Sequence, residues 1–360
     1  MLDPRGIQSL LLMRLSAIGD VANTLPAVSA ARKAFPKARI AFLVEDKASA
    51  LVEGHPDLDA TIVFPKSRWK GRALRPGTWA EASRHVREIR AGKFDVLLDF
   101  QGNLKGGLHA ALSGIPTRVG FARAHSKEQS HRFTNVHVEP SGERILRARK
   151  FLSLLAPLGI ADPEIVWKLP PRDASRAAVG AFLAETGLEG RSFAVLHPGT
   201  SARGAAKRWP VERFAELARR IPGALDLAVV VGYGPGERAL AEEIVRGSGA
   251  ILALETRSLL DLAELLSRAA LFVGADSGPL HLASAVACPS VALFGPKDPA
   301  IYAPCNPRSR VVRKPGSDGS ASMLAIEAAD ALAAAADLLA ETRATPPGAA
   351  RGPVRNVLPA

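Results

Sequence analysis

Four short segments carry residue types that can do chemistry, and each follows an apolar run. The first is Arg14-Leu15-Ser16-Ala17-Ile18-Gly19-Asp20. Gly19 permits a sharp turn or a close backbone approach to a ligand. Asp20 stands where a helix begins and reads in two ways: an ordinary N-cap, worth about 1 kcal/mol, or a carboxylate at a strand's carboxyl edge that serves as a general base. The second runs from His197-Pro198-Gly199-Thr200-Ser201 to Lys207-Arg208-Trp209-Pro210. Gly199 and the hydroxyls of Thr200 and Ser201 can hydrogen-bond phosphate oxygens, and Lys207 supplies a point charge for a leaving phosphate. The plainer reading is a solvated loop with a basic tip.

The third segment, Gly274-Ala275-Asp276-Ser277-Gly278-Pro279-Leu280-His281, opens a helix. Ser277 can cap that helix, and the N–H groups around Gly278 form an anion site of the kind helix N-termini provide. His281 lies about one turn in and faces the same side, unless it is a half-buried structural histidine. Asp276 would repel a phosphate and suits sugar hydroxyls. The fourth, Gly232-Tyr233-Gly234-Pro235-Gly236-Glu237, has glycines as G-x-G-x-G, with Glu237 where the dinucleotide pattern needs its third glycine. It reads as a turn, from which Glu237 can reach a ribose diol.

Positioning these segments requires strands that end where they begin. Apolar runs Leu10–Leu15, Arg39–Val44, Ala60–Phe64 and Phe94–Phe100 alternate with helical spacing over Val21–Phe35, Trp79–Ile89, a stretch from Asn103, and Arg144–Leu158. After a Pro-rich stretch the alternation resumes. Strands are expected over Phe193–Leu196, Leu227–Val231, Leu271–Val273 and Ser290–Phe294. Helices are expected over Val211–Ile221, Glu237–Arg246, Ser258–Ser267, Pro279–Ala287 and Met323–Leu339. Such alternation predicts α/β units with parallel sheets, whose ligands bind beyond the carboxyl ends of the strands. The expected domains are residues 1–160 and 176–320, a linker over 161–175, a terminal helix over 321–342 and a disordered tail over 343–360.

Composition narrows the class. Of 360 residues 47% are hydrophobic, enough for sizeable cores, and only 5% are aromatic. Two cysteines, Cys288 and Cys305, cannot build a disulfide framework or a four-cysteine zinc site. No apolar run reaches the ~20 residues of a membrane-spanning helix and no signal-peptide core is visible, so a cytoplasmic protein is expected. The net charge of +12 is uneven. Residues 1–170 hold 26 basic and 16 acidic side chains, a net of +10, and the remainder 21 and 19, a net of +2. The basic half suits an anionic partner or is simply a solubilising surface. Two basic clusters stand out: Arg68, Lys70, Arg72 and Arg75 around Trp69, and Arg118, Arg123, Lys127 and Arg132. Few aromatics interleave with them, which speaks against nucleic acid. His125, His131 and His137 lack matching carboxylates, so no metal site is expected.

Taken in order, Leu15-Ser-Ala-Ile-Gly-Asp20 with Thr24-Leu-Pro-Ala27, Asp99-Phe-Gln-Gly-Asn-Leu-Lys105, Lys207-Arg-Trp-Pro210 and Asp276-Ser-Gly-Pro-Leu-His281 resemble the ADP-heptose:lipopolysaccharide heptosyltransferases of glycosyltransferase family nine. The Gly-Asp…Thr-Leu-Pro spacing is most similar to the heptosyltransferase I members, with one departure at Asn23, where that pattern often has His. The resemblance implies a GT-B fold, two Rossmann-like domains facing across a cleft, with the terminal helix crossing back to the first. It implies inverting, metal-independent transfer of a heptose from ADP-heptose, without a cofactor, to the Kdo–lipid A inner core. Asp20 is then the general base and Lys207 the catalytic cation. Gly19, Thr200, Ser201, Glu237, Asp276, Ser277, Gly278 and His281 line the donor site. Arg68, Lys70, Lys105, Arg123 and Lys127 are candidates for the acceptor. The implied enzyme is a monomer, peripheral at the cytosolic face of the inner membrane. The competing classes are another family-nine transferase with a different sugar or later acceptor, a nicotinamide-dependent dehydrogenase, and a two-domain solute-binding protein.

Overall fold

The computed structural model describes residues 3–344 except 73, 74, 143, 201 and 318; of residues 4, 202, 203 and 205 it describes no side chain. The chain divides into two compact units, 1–171 and 172–360.

In the first unit, β1 (Ser9–Met13), β2 (Arg39–Glu45), β3 (Ala60–Phe64), β4 (Val96–Asp99), β5 (Thr117–Phe121) and β6 (Val136–Val138) form one sheet in the order β3-β2-β1-β4-β5-β6. Every pairing is parallel. Its helices are α1 (Ile18–Ala34), α2 (Lys66–Trp69), α3 (Pro76–Ala91), α4 (Leu104–Ser113) and α5 (Arg147–Ser153). Leu10, Leu11, Leu12 and Met13 are wholly buried, as the central strand of a sheet covered on both faces must be. Leu11 aligns with Ala41 on one side and Leu97 on the other.

The second unit repeats the plan. Strands β7 (Phe193–His197), β8 (Ala228–Val231), β9 (Ile251–Leu252), β10 (Leu271–Ala275), β11 (Ser290–Phe294) and β12 (Ser309–Arg313) are ordered β12-β11-β10-β7-β8-β9. Helices α6 (Asp173–Glu185), α7 (Val211–Leu225), α8 (Arg238–Ser248), α9 (Leu259–Arg268), α10 (Gly278–Ala285), α11 (Pro299–Tyr302) and α12 (Ala328–Ala344) accompany it. In both sheets the order reverses beside the first strand, which is the switch point where doubly wound folds bind ligands. The first segment lies beyond one switch point; the second and third segments flank the other.

The expected linker over 161–175 resolves differently. Trp167 Nε1 donates to the Ala22 carbonyl at 3.2 Å and Lys168 Nζ to Asp57 at 2.8 Å, so this stretch is pinned to the first unit. From Asp173 the chain is already helix. Ala328, Ala331, Ala335, Leu338 and Leu339 of α12 join the core of the second unit, against α7. Small alanines let that helix lie close, and Trp209, only 2% exposed, locks its approach by donating to the Ile326 carbonyl at 2.8 Å. Helix α12 continues to Ala344, one residue beyond the expected tail start at 343; residues 345–360 lie outside the described chain.

Candidate active site

In the first unit, Asp20 sits in the first turn of α1, but Ala17 holds the N-cap position, so Asp20 is not the helix cap. Its carboxylate is gripped by two guanidiniums. Arg14, at the end of β1, pairs with one oxygen, and Arg147 Nε of α5 lies 3.5 Å from the other. Helix α5 packs on α1, which brings Arg147 there. Arg14 also donates to the Phe100 carbonyl and lies 5.0 Å from the Phe151 ring centroid. Burial lowers the Arg14 pKa, a cost that Asp20 opposes. Asp20 remains partly accessible, its side chain 24% exposed. Gly19 is buried within the same turn.

Close by on α5, Lys150 donates to the His125 carbonyl at 3.0 Å and lies 4.6 Å from the Phe121 ring centroid. Burial, then the like charges of Arg147, Lys127 and Arg14, push its pKa down to about 8. Among the described residues it pairs with no carboxylate, so this corner of the unit has an excess of positive charge. Arg147 and Lys150 carried no role in the sequence reading. Their three-residue spacing within the expected helix Arg144–Leu158 was the available signal.

Lys105 was placed among acceptor candidates. It donates to Ser16 Oγ at 3.0 Å and pairs with the buried Glu45, which also takes Lys66 at 3.1 Å. Desolvation lowers the Lys105 pKa against the pull of Glu45. Gln101 Oε1 accepts from the Leu15 and Ser16 amides at 3.0 and 3.2 Å and so shapes the loop before Asp20. Asp99 behind it is buried, and desolvation raises its pKa to about 6. Arg68 pairs with Glu81 at 3.3 Å, and Glu81 also accepts from Trp69 Nε1 at 2.6 Å. Trp69 is therefore an anchor for the basic cluster. Lys70, Arg123 and Lys127 are exposed.

In the second unit, Lys207 Nζ donates to the Asp276 carboxylate at 2.6 Å and to its backbone carbonyl at 3.2 Å. His281 Nε2 lies 3.4 Å from the other carboxylate oxygen. Burial alone would raise the Asp276 pKa; His281 and Lys207 together hold it below the usual value. Ser277 occupies the N-cap position of α10 but makes no capping bond, and its Oγ is buried with no partner among the described residues. Gly278 starts the helix. The third segment thus combines a lysine, an unused hydroxyl and a helix N-terminus, the elements of an anion site.

The hydroxyl of Thr200 is committed within its loop, donating to the Gly204 carbonyl at 3.1 Å and accepting from Arg208 Nε at 3.2 Å. Ser201 lies outside the described residues. Glu237 Oε2 accepts from the Gly234 amide at 2.9 Å, and a Cβ on residue 199 would stand 1.8 Å from that oxygen. Gly199 therefore lets the loops after β7 and β8 close on each other. His197 at the end of β7 is buried with Nδ1 unpartnered, and burial pushes its pKa down to about 4. Among the described residues no group of three or more His, Cys, Asp or Glu is arranged to hold a metal ion, and no helix is long and apolar enough to cross a membrane.

Known proteins share this plan. The chain is 24% identical over 318 residues to lipopolysaccharide heptosyltransferase 1 of Escherichia coli O18:K1:H7, covering 86% of this chain and 92% of that protein. It is 27% identical over 304 residues to lipopolysaccharide heptosyltransferase 1 of Pseudomonas aeruginosa, covering 81% and 79%. Among solved structures, a family 9 glycosyl transferase from Veillonella parvula matches with a TM-score of 0.79 at 23% identity, over 93% of this chain and 97% of that one. An E. coli heptosyltransferase solved with ADP matches with a TM-score of 0.73 at 21% identity, over 93% and 99%. The fold is therefore of the GT-B type. The model for glycosyltransferase family 9 (heptosyltransferase) matches residues 82–323, two thirds of the sequence, and the chain belongs to that family of enzymes.

Proposed function

We propose that this enzyme moves a heptose from ADP-heptose to the Kdo–lipid A inner core of lipopolysaccharide, with inversion and without a metal ion or cofactor. The observation that carries the reading is the second-unit anion site: Lys207 tied to Asp276, the buried unpaired Ser277 Oγ and the start of α10. Negative charge grows on the diphosphate as the glycosidic bond breaks. A fixed lysine and helix N–H groups stabilise charge where it develops, without reorganising during the step. Asp276 would hold sugar hydroxyls, His281 would belong with Ser277 and Gly278 to the diphosphate-binding helix start, and Glu237 would lie on the nucleoside side.

Asp20 would accept the proton of the attacking acceptor hydroxyl. Arg14 and Arg147 fix the direction of its carboxylate while leaving it partly open to solvent. Lys150, which pairs with no carboxylate among the described residues, suits, with Arg147 and Lys127, an acceptor that carries carboxylates or phosphates. An anionic lipid-linked acceptor also accounts for the +10 of residues 1–170. The reading places the enzyme, as a monomer, at the cytosolic face of the inner membrane.

Purified protein incubated with a panel of nucleotide sugars and Kdo–lipid A tests this through release of nucleoside diphosphate. ADP release with ADP-heptose alone among the donors, persisting in EDTA, is the expected result. Turnover only with another donor would replace the substrate, and activity lost to EDTA and restored by Mg²⁺ would overturn the metal-free mechanism.

A further inference from the structure

Helix α4 carries its large apolar residues on the outside. Its inner side is Gly106, Gly107, Ala110 and Ser113, all buried. Leu104, Leu108 and Leu112 point outward and are 42%, 46% and 49% exposed. Residues four apart lie in one row along a helix, so the three leucines form a continuous stripe. The helix cannot rotate to hide them. A Cβ on Gly107 would stand 2.5 Å from the Phe133 ring, and one on Gly106 would stand 2.7 Å from Asp99 Oδ1. Only the glycine side fits against the sheet.

Helix α3 packs beside α4 and extends the surface. The His85 and His109 rings meet at 5.7 Å between the two helices, and Arg90 Nε donates to the Leu112 carbonyl at 2.9 Å. Trp79 on α3 is 67% exposed. Scattered single apolar residues on a surface are ordinary; a row of leucines with a tryptophan on the adjoining helix marks an interaction site.

The charges around it select the partner. Arg84, Arg87 and Arg90 are exposed on α3, as are Lys70, Arg72 and Arg75 on the segment leading into it. Of the acids on α3, Glu81 is already engaged by Trp69 and Arg68, and Glu88 is exposed. An apolar stripe, a tryptophan and an arginine rim match the three layers of an anionic bilayer surface: acyl boundary, headgroup level and phosphates. A second copy of the chain is a poorer occupant, because a two-fold contact would set this basic rim against itself.

We infer that the α3–α4 face of the first unit seats on an anionic lipid surface, with Leu104, Leu108 and Leu112 at the acyl boundary and Trp79 among the headgroups. The inference deepens the reading of a lipid-borne acceptor. Its test needs no turnover, so failure of one is distinguishable from failure of the other.

The full chain is sedimented with phosphatidylcholine vesicles that contain or lack phosphatidylglycerol. Wild type should bind the anionic vesicles, and Trp emission should shift to the blue, a shift that Trp79→Phe removes. Leu104→Ser, Leu108→Ser and Leu112→Ser together should weaken binding at least about tenfold. Arg84→Glu with Arg87→Glu should weaken it and flatten its salt dependence. The substituted side chains are exposed, so melting temperatures should hold; the Trp79 readout stands even if the triple variant fails to fold. Absence of wild-type binding to anionic vesicles overturns the inference. So does binding that survives the leucine changes, or a wild-type dimer that those changes dissociate.

Discussion

Lys207 and Asp276 act as one group: the lysine ammonium bonds both the carboxylate and the backbone carbonyl of the aspartate, at 2.6 and 3.2 Å. The aspartate immediately precedes the N-cap of α10, so the lysine is held at the mouth of the helix. Its reach is set by a backbone atom as well as by a side chain. Lys207→Ala should therefore weaken donor binding and also slow transfer, since charge on the diphosphate rises in the transition state. Losing a comparable electrostatic donor costs roughly 3–4 kcal/mol in other enzymes. Steady-state kinetics with ADP binding by calorimetry measures both effects. Unchanged ADP affinity together with unchanged kcat would remove Lys207 from the mechanism.

Asp20→Ala should abolish most transfer and leave ADP binding near wild type, because all the proposed donor residues except Gly19 belong to the second unit. Removal of a general base typically costs ~10²–10⁴ in rate. Arg147→Lys should retain more activity than Arg147→Ala, as the cation beside Asp20 is kept. An Asp20→Ala enzyme that turns over within a few-fold of wild type would leave the carboxylate only as the partner of Arg14 and Arg147.

Gly199→Ala places a Cβ 1.8 Å from Glu237 Oε2. The carboxylate is the free end of a flexible side chain, so it swings away and gives up its bond to the Gly234 amide. ADP affinity should fall with little change in melting temperature. Glu237→Ala should cause a similar loss, and the double variant should be no worse than the poorer single one, since both changes break the same contact. Additive losses would mean that Gly199 serves the ligand by a separate route.

Much of this was legible in the sequence because loops after buried strands hold the chemistry, and buried parallel strands are plain apolar runs. Ala60–Phe64 and Ser290–Phe294 have the expected bounds. The two edge strands of the second sheet were hidden for opposite reasons. Strand β9 is two residues long, and β12 contains Arg310, a buried cation whose partner, Glu341, comes from α12. No local pattern announces a charge neutralised from so far along the chain. The same limit applies to the site. Asp20 and Lys207 stand in glycine- and proline-marked segments after strands, whereas Arg147 reaches Asp20 only because α5 packs on α1. Ser277 looked like a helix cap by position; the backbone puts it there, yet its hydroxyl makes no such bond.

The buried His197 makes the second unit sensitive to acid. Its pKa is pushed down to about 4 by burial, from 6.5 for the ordinary side chain, against the opposing pull of backbone groups at Gly199 and His197, and Nδ1 makes no hydrogen bond among the described residues. In the unfolded chain the imidazole takes a proton near pH 6.5, while in the folded protein it stays neutral until about pH 4. The unfolded state therefore binds more protons between those values, and stability rises with pH across the window. The contribution is fully present above pH 6.5 and lost as pH falls toward 4, amounting to roughly 3 kcal/mol in all at about 1.4 kcal/mol per pKa unit. Protection of the β7 amides against hydrogen exchange, corrected for the intrinsic pH dependence of exchange, reads this directly. Comparison with His197→Gln cancels the other titrating groups, including Asp99, whose raised pKa of about 6 acts in the opposite sense. Between pH 7.5 and pH 5 the stability gap between wild type and variant should shift against wild type by about 2 kcal/mol. A shift near zero would mean that the imidazole at the end of β7 is solvated and protonates freely in the folded enzyme.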